Sequence, residues 1–249
     1  MKKYILFLAI ASIVVLISCK KDDNAGQISK STETTAEFDN SNFGLYKGVI
    51  AGSSGTVKIQ INNGNSVSKA DIVMDSKTDV LTCSTSFTNG QAINNATFTG
   101  ASSSFTFSVG GDGKNPAITN FEIDGHDDVV AVVLKETSEN VSAAYEGTSI
   151  GGNNAHGVLN FVRNNNTYSG IQRALDKESG GLTFSFEGNI ARDGSFSGNS
   201  TGRLGNMTVN LTYSGKFDGN NFSGTWTTSW MIDNSSQSNS GTFTGKKTL

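Results

Sequence analysis

The chain has 249 residues, of which 16% are charged, and its formal net charge at pH 7 is −3. It contains no basic patch with interleaved aromatic residues, which argues against nucleic acid as a partner. Proline occurs once, at Pro116, whereas the 29 glycines accompany abundant Ser, Thr and Asn. Short alternating runs in such a composition indicate an all-β protein.

The N-terminus has the layout of an export signal. Met1-Lys2-Lys3 is basic, and the apolar run Tyr4–Ile17 is too short to span a bilayer. The run leads into Leu16-Ile17-Ser18-Cys19, which resembles a bacterial lipobox. That resemblance implies a lipoprotein signal peptide over residues 1–18 and acyl chains attached to Cys19. The alternative is an ordinary secretory signal with a coincidental cysteine.

Residues 19–42 are predicted to form a flexible tether, because they are polar and nearly free of apolar side chains. The tether begins with Lys20-Lys21-Asp22-Asp23-Asn24, which resembles the export signal of surface lipoproteins in the Bacteroidota. This resemblance implies a lipid-anchored protein of the outer membrane, exposed at the cell surface and held there by its acyl chains. The alternative is a merely polar linker.

Two units of about eight strands each are predicted after the tether, at residues 43–137 and 143–249. Asn-Gly and Asp-Gly turns separate the strands, because these dipeptides supply the positive φ of tight hairpins. The second unit echoes the first: Leu45-Tyr-Lys-Gly48 returns as Ala144-Tyr-Glu-Gly147, 99 residues later. The echoes favour an internal duplication joined by Glu136–Ser142.

An aromatic residue followed two positions later by glycine recurs along the chain and is clearest at Phe222-Ser-Gly-Thr-Trp226. Residues i and i+2 share one face of a strand, so a ring and a missing side chain lie next to each other. This suits the inside of a tightly curved sheet. The copies begin at Tyr46, Phe98, Tyr145, Tyr168, Phe186, Phe196, Tyr213, Phe217, Phe222 and Phe243.

These patterns predict antiparallel up-and-down β-barrels or meanders in two duplicated units, and closure into a barrel removes the exposed sheet edges. One larger sheet of about sixteen strands is the alternative. The segment Val129–Leu134 is apolar on both faces, so it either packs against the second unit or is covered by a loop. Lipidated, Gly-rich tandem barrels resemble transferrin-binding protein B and factor H-binding protein, which are surface lipoproteins that capture host proteins. The likeness is one of pattern, and no binding residue is carried over from it.

Five aromatic residues of the second unit are the candidates for ligand binding. An eight-stranded barrel is just wide enough to be filled by side chains or to hold one small ligand. The rings therefore either pack the interior or contact an apolar ligand, and at a barrel mouth they could stack on a sugar. The candidates are Phe184, Phe186, Tyr213, Trp226 and Trp230.

A second candidate site lies in Asp124-Gly-His126-Asp127-Asp128. The side chains of His126, Asp127 and Asp128 could bind a divalent metal ion. Acidic residues and glycine are also what an exposed hairpin turn prefers, and the spacing is not that of a calcium loop. The sequence indicates no cofactor.

Two further residues are weighed for reactivity. Gly147-Thr-Ser149-Ile-Gly151 matches the pattern of a nucleophile elbow, but a Gly/Asn turn follows it instead of a helix, and the only later histidine is His156. Cys83, the one cysteine besides Cys19, is predicted to be a buried thiol. No convincing catalytic constellation emerges.

Three functions are compatible with these residues. The leading hypothesis is a non-enzymatic surface module that binds a protein or glycan partner through its loops and outer faces. The second is a lipocalin-like carrier that holds a small apolar ligand in a barrel. The third is a barrel enzyme of isomerase or cyclase type, which needs a cavity with at least one buried polar group.

Overall fold

The computed structural model describes residues 31–52, 54–63, 67–152, 155–176 and 180–249. The predicted signal peptide, Cys19 and the first part of the predicted tether lie outside these residues. The described part contains sixteen β-strands and one short 3-10 helix, Ala36–Phe38, which confirms the all-β prediction. Within it, no helix is long and apolar enough to cross a membrane.

The first unit contains the strands β1 (Gly44–Ala51), β2 (Gly55–Ile61), β3 (Lys69–Met74), β4 (Lys77–Thr82), β5 (Ile93–Thr99), β6 (Ser103–Val109), β7 (Ala117–Ile123) and β8 (Val130–Glu136). They form one antiparallel sheet in the order β7-β6-β5-β4-β3-β2-β1-β8. The first strand pairs with the last, and β7 lies beside β8, so the sheet is a nearly closed barrel.

The second unit contains the strands β9 (Ala143–Gly151), β10 (His156–Arg163), β11 (Thr167–Ala174), β12 (Thr183–Asn189), β13 (Ser195–Leu204), β14 (Met207–Asp218), β15 (Asn221–Ile232) and β16 (Ser235–Lys247). Their order is β12-β11-β10-β9-β16-β15-β14-β13. The open edges β12 and β13 lie side by side, and the Ser200 hydroxyl donates a hydrogen bond of 2.7 Å to the Ser185 carbonyl across them.

The two units share one organisation. Each is an up-and-down meander whose first strand pairs with its last. In both units the fourth and fifth strands are the most weakly paired neighbours. A single residue pair, Thr82 with Thr99, joins β4 to β5 in the first unit. In the second unit β12 and β13 are the open edges of the sheet. The prediction of two barrel-like units of eight strands is confirmed, and the single larger sheet is not formed.

Rings and glycines face each other across neighbouring strands. In the β11–β12 ladder, Tyr168 lies opposite Gly188, and Gly170 lies opposite Phe186. A Cβ atom placed on Gly170 would be 2.2 Å from a ring carbon of Phe186, so only glycine leaves room for that ring. In this ladder the pattern therefore works between strands: the Phe186 ring fills the space that Gly170 on the next strand leaves free.

The two barrels pack against each other through β1, β8, β10 and β11. Asn160 on β10 donates a hydrogen bond of 2.7 Å from Nδ2 to the Ile50 carbonyl of the first barrel. Around it lies an apolar cluster that contains Ala51, Val130, Val132, Val158 and Ile171. The segment that is apolar on both faces thus packs against the second unit, as one of the two alternatives predicted.

The structure corrects the extent of the predicted tether, because residues 31–42 pack against the first barrel. Phe38 and Asn42 are buried. The Nζ atom of Lys47 lies 2.8 Å from Oε1 of Glu33 and 2.7 Å from Oε2 of Glu136, and Lys47 and Glu136 are both buried. A polar composition concealed this docking, because its main contacts are ion pairs and hydrogen bonds.

Candidate functional site

A cavity of about 720 Å³ opens at one end of the second barrel. It lies where β9, β11, β13 and β15 end and where β10, β12, β14 and β16 begin. We call this end the open end and the other the closed end. Small-molecule sites commonly have volumes of about 300 to 1,000 Å³, so the cavity has the size of a ligand site.

The closed end is filled by aromatic rings. The ring of Phe161 lies at its centre, and Arg163, buried below it, holds its guanidinium carbon 4.4 Å from the centroid of the Phe217 ring. The rings with centroids 5.0 to 5.7 Å from that of Phe161 belong to Tyr168, Phe186, Phe196, Phe217 and Phe222. The interior of the barrel at this end is therefore packed with aromatic side chains.

The cavity forms where the interior residues change from rings to small side chains. On β9 the residues that face the interior are Tyr145, Gly147, Ser149 and Gly151, from the closed end to the open end. Ser149 and Gly151 are too small to fill the barrel at their level. The same alternation that packs one end therefore leaves space at the other.

The cavity has two chemically different walls. The apolar wall belongs to the adjacent strands β12, β13 and β14 and their ends, and it consists of Leu182, Phe184, Leu204, Met207 and Val209. The polar wall lies on the arc from β15 to β11 and includes Ser149, Gln172 and Thr228, which are each more than nine-tenths buried. These three side chains are neutral. His156 and Asp176 lie on strand ends at the rim.

Both tryptophans of the chain line the cavity. Trp226 is buried, with 6% of its surface exposed, and Trp230 is partly buried. The indole Nε1–H of Trp226 is buried and has no hydrogen-bond partner among the described residues. Because no tryptophan lies elsewhere, the fluorescence of the protein reports on this cavity.

The structure separates the five predicted ligand-binding residues into two groups. Phe184, Trp226 and Trp230 line the cavity. Phe186 and Tyr213 lie deeper, with ring centroids 4.7 Å apart, and the Tyr213 hydroxyl is 2.9 Å from that of Tyr168. Burial raises the pKa of Tyr213 above its ordinary value, so that hydroxyl stays protonated. These two residues belong to the packed core.

Ser149 does not lie on a nucleophile elbow, because it is an interior residue of β9 with no helix after it. Its Oγ accepts a hydrogen bond of 3.4 Å from Nε2 of Gln172, which is the one hydrogen bond of either side chain among the described residues. Gln172 is not among the residues predicted from the sequence. Its spacing from Tyr168 and Gly170 places it on the interior face of β11 and could have revealed it.

The candidate metal ligands His126, Asp127 and Asp128 are directed to different partners. Nε2 of His126 lies 3.3 Å from a carboxylate oxygen of Asp75, and a carboxylate oxygen of Asp128 lies 3.5 Å from Arg173. Asp127 is exposed. In the described part of the chain, no group of three or more His, Cys, Asp or Glu residues could hold a metal ion.

The first barrel has a smaller hollow of about 580 Å³ beside the β5–β6 turn. Asp79, which lines it, accepts hydrogen bonds from Ala101, Ser102 and Ser103. The hydrogen bond from Ser103, supported by those from Ser102 and Ala101, lowers the pKa of Asp79 to about 2. We therefore assign Asp79 to fixing the turn. Cys83 is buried, as predicted.

Comparison of the chain with models of known protein families found no match, and a search of curated proteins found none either.

Proposed function

We propose that this chain is a lipid-anchored binding protein of the outer membrane whose second barrel holds one small, mainly apolar ligand. The cavity carries this proposal, because it combines a ligand-sized volume with an apolar wall and two tryptophans. The anchor rests on the lipobox resemblance that ends at Cys19. Among the described residues no base is hydrogen-bonded to Ser149, which favours binding over nucleophilic catalysis.

The position of the N-terminal segment supports an outward-facing cavity. Glu33 lies beside Ser142, Asn220 and Leu249, which mark the closed end of the second barrel. The described part of the chain therefore begins near the closed end. The cavity opens at the opposite end, so we expect it to exchange ligand with the medium beyond the anchoring membrane.

A second candidate function is the binding of a partner protein or glycan at the mouth of the cavity. The observation in its favour is a group of exposed apolar residues at the open end. Their exposed fractions are 64% for Ile150, 48% for Leu175, 57% for Met231 and 49% for Ile232. Replacement of Met231 and Ile232 by serine should weaken such docking and leave ligand binding inside the barrel intact.

Fluorescence titration tests the proposed ligand site. We would use the chain from residue 19 onward with Cys19→Ser, which keeps both barrels, and add 4-methylbiphenyl as an apolar probe. Binding should shift or quench the emission of Trp226 and Trp230. A flat titration up to the solubility limit of the probe would contradict the proposal.

Two substitutions on neighbouring residues of β14 supply the control. Val209→Phe adds a ring on the cavity wall, whereas Thr208→Phe adds the same ring on the exposed outer face. The first should lower the affinity for the probe at least about tenfold by filling the site, and the second should leave it unchanged. Equal effects of the two would place the probe outside the barrel.

A further inference from the structure

The interior of the second barrel differs from that of the first at two equivalent positions. Their equivalence follows from strand register. Tyr46 pairs with Ile59 as Tyr145 pairs with Phe161. Counting along the ladders from these pairs, Ser149 corresponds to Ile50 and Gln172 corresponds to Ile72.

In the first barrel both positions are part of the apolar core: Ile50 is 0% exposed and Ile72 is 2% exposed. In the second barrel the same positions carry Ser149 and Gln172, which are 2% and 8% exposed as whole residues and line the cavity. A buried polar group destabilises a fold unless it is well hydrogen-bonded. The two side chains share one hydrogen bond of 3.4 Å, which is long, so folding alone does not account for them.

The pair retains unused hydrogen-bonding capacity toward the cavity. Among the described residues, the amide oxygen of Gln172 accepts no hydrogen bond and the Ser149 hydroxyl donates none. An amide oxygen is an acceptor and a serine hydroxyl is both donor and acceptor. A hydroxyl group on a ligand can donate to Gln172 and accept from Ser149, so it satisfies both.

We propose that Ser149 and Gln172 recognise an uncharged hydroxyl group on the ligand, whose apolar body lies against the opposite wall around Phe184 and Val209. This rests on the proposed function and specifies its ligand as a neutral amphiphile. We assign the ligand as uncharged because Ser149 and Gln172, the two groups proposed to contact its polar end, are neutral, and a buried ion without a partner is strongly disfavoured. The titratable residues of the lining, His156 and Asp176, lie at strand ends at the rim, where the Oδ2 atom of Asp176 is buried.

A matched pair of probes tests this. 4-Hydroxybiphenyl and 4-methylbiphenyl have the same shape and differ by a hydroxyl in place of a methyl group. Hydrogen bonds to the pair should make the hydroxyl compound bind about 5 to 30 times more tightly, measured by tryptophan fluorescence on the chain from residue 19 with Cys19→Ser. Equal affinities would overturn the assignment and leave the proposed function standing. Failure of both probes to bind would overturn both.

The decisive variant replaces Ser149 and Gln172 by isoleucine, the residue at both equivalent positions of the first barrel. Ser149→Ile with Gln172→Ile should abolish or reverse the preference for the hydroxyl probe, while the midpoint of chemical unfolding stays the same or rises. Ser149→Thr keeps the hydroxyl and should keep the preference. Thr228→Val removes another hydroxyl from the polar wall and is the control. An equal loss of preference in Thr228→Val would show that the recognition is not made by Ser149 and Gln172.

Discussion

The indole of Trp226 lies directly against Gly151 in the wall of the second barrel. A Cβ atom on Gly151 would be 2.5 Å from Cζ2 and 2.7 Å from Cη2 of Trp226. Glycine at this position therefore lets the indole lie back against the sheet. The space in front of the ring is part of the cavity.

Gly151→Ala should push the Trp226 indole into the cavity, because the new methyl group occupies the place of the ring edge. We expect a loss of about 1 to 3 kcal/mol of folding stability, a changed tryptophan emission and weaker probe binding. Gly152→Ala is the control, since the one described atom that its Cβ would meet within 4 Å is the side-chain oxygen of Asn239, at 3.1 Å. Equal behaviour of the two variants would show that the indole does not depend on Gly151.

Gly245→Ala should destabilise the protein more than Gly151→Ala. A Cβ atom on Gly245 would be 2.3 Å from a ring carbon of Phe222 and 2.4 Å from the backbone carbonyl oxygen of Glu146. The Phe222 ring belongs to the packed aromatic cluster of the closed end and the Glu146 carbonyl to the backbone, so we expect a loss of about 3 kcal/mol in chemical denaturation. A smaller loss than for Gly151→Ala would contradict the tight packing of rings on glycines.

The buried ion pair between Lys47 and Glu136 should be costly to break. Glu136 also accepts hydrogen bonds from the backbone N–H groups of Glu33 and Ser142, so it ties the N-terminal segment and the start of the second unit to β8. Glu136→Gln should lower the free energy of unfolding by about 3 kcal/mol, because it leaves a buried ammonium group poorly paired.

Glu33→Gln is the matched control for Glu136→Gln, because the Glu33 side chain is 48% exposed. Burial alone would raise the pKa of Glu33, but the hydrogen bonds and charges of Lys47 and Lys58 lower it to about 2. Solvent screens this exposed group, so its loss should cost under about 1 kcal/mol. If Glu33→Gln proved as destabilising as Glu136→Gln, burial would not determine how much each ion pair of Lys47 contributes to stability.

The stability of the first barrel should depend on the ionisation of Asp79. Its pKa in the folded chain is about 2, against an ordinary value of 3.8. The ionised carboxylate therefore contributes to the free energy of unfolding. This contribution is present above about pH 4 and is lost as the pH falls toward 2. As the pH is lowered over this range, the midpoint temperature of thermal unfolding should fall less steeply for Asp79→Asn than for the natural chain. An identical slope would contradict the assignment.

The fold could be predicted from the sequence to a large extent, because alternation and turn residues act locally. The repeated aromatic-x-Gly pattern and the echo between Tyr46 and Tyr145 indicated two similar barrels. The pairing of each ring with a glycine on the next strand depends on register, which composition does not specify. The docking of Glu33 on Lys47 escaped prediction for the same reason, because it joins residues that only the fold brings together.

The candidate site was predicted in part. Trp226 and Phe184 could be found because large rings with interior parity have to face a core or a ligand. The cavity itself forms because no large side chain fills the barrel beside Ser149 and Gly151 among the described residues. The importance of Gln172 becomes visible only when register makes it equivalent to Ile72.

Native mass spectrometry of the full-length protein, expressed in its own host and extracted in a mild detergent, tests the central claim most directly. We expect one bound small molecule per chain that is released on denaturation, absent from Val209→Phe and retained in Thr208→Phe. Covalent acyl chains at Cys19 would persist after denaturation and are thereby distinguished from a cavity ligand. A natural chain without any releasable mass would contradict the proposal that the second barrel is a ligand-binding site.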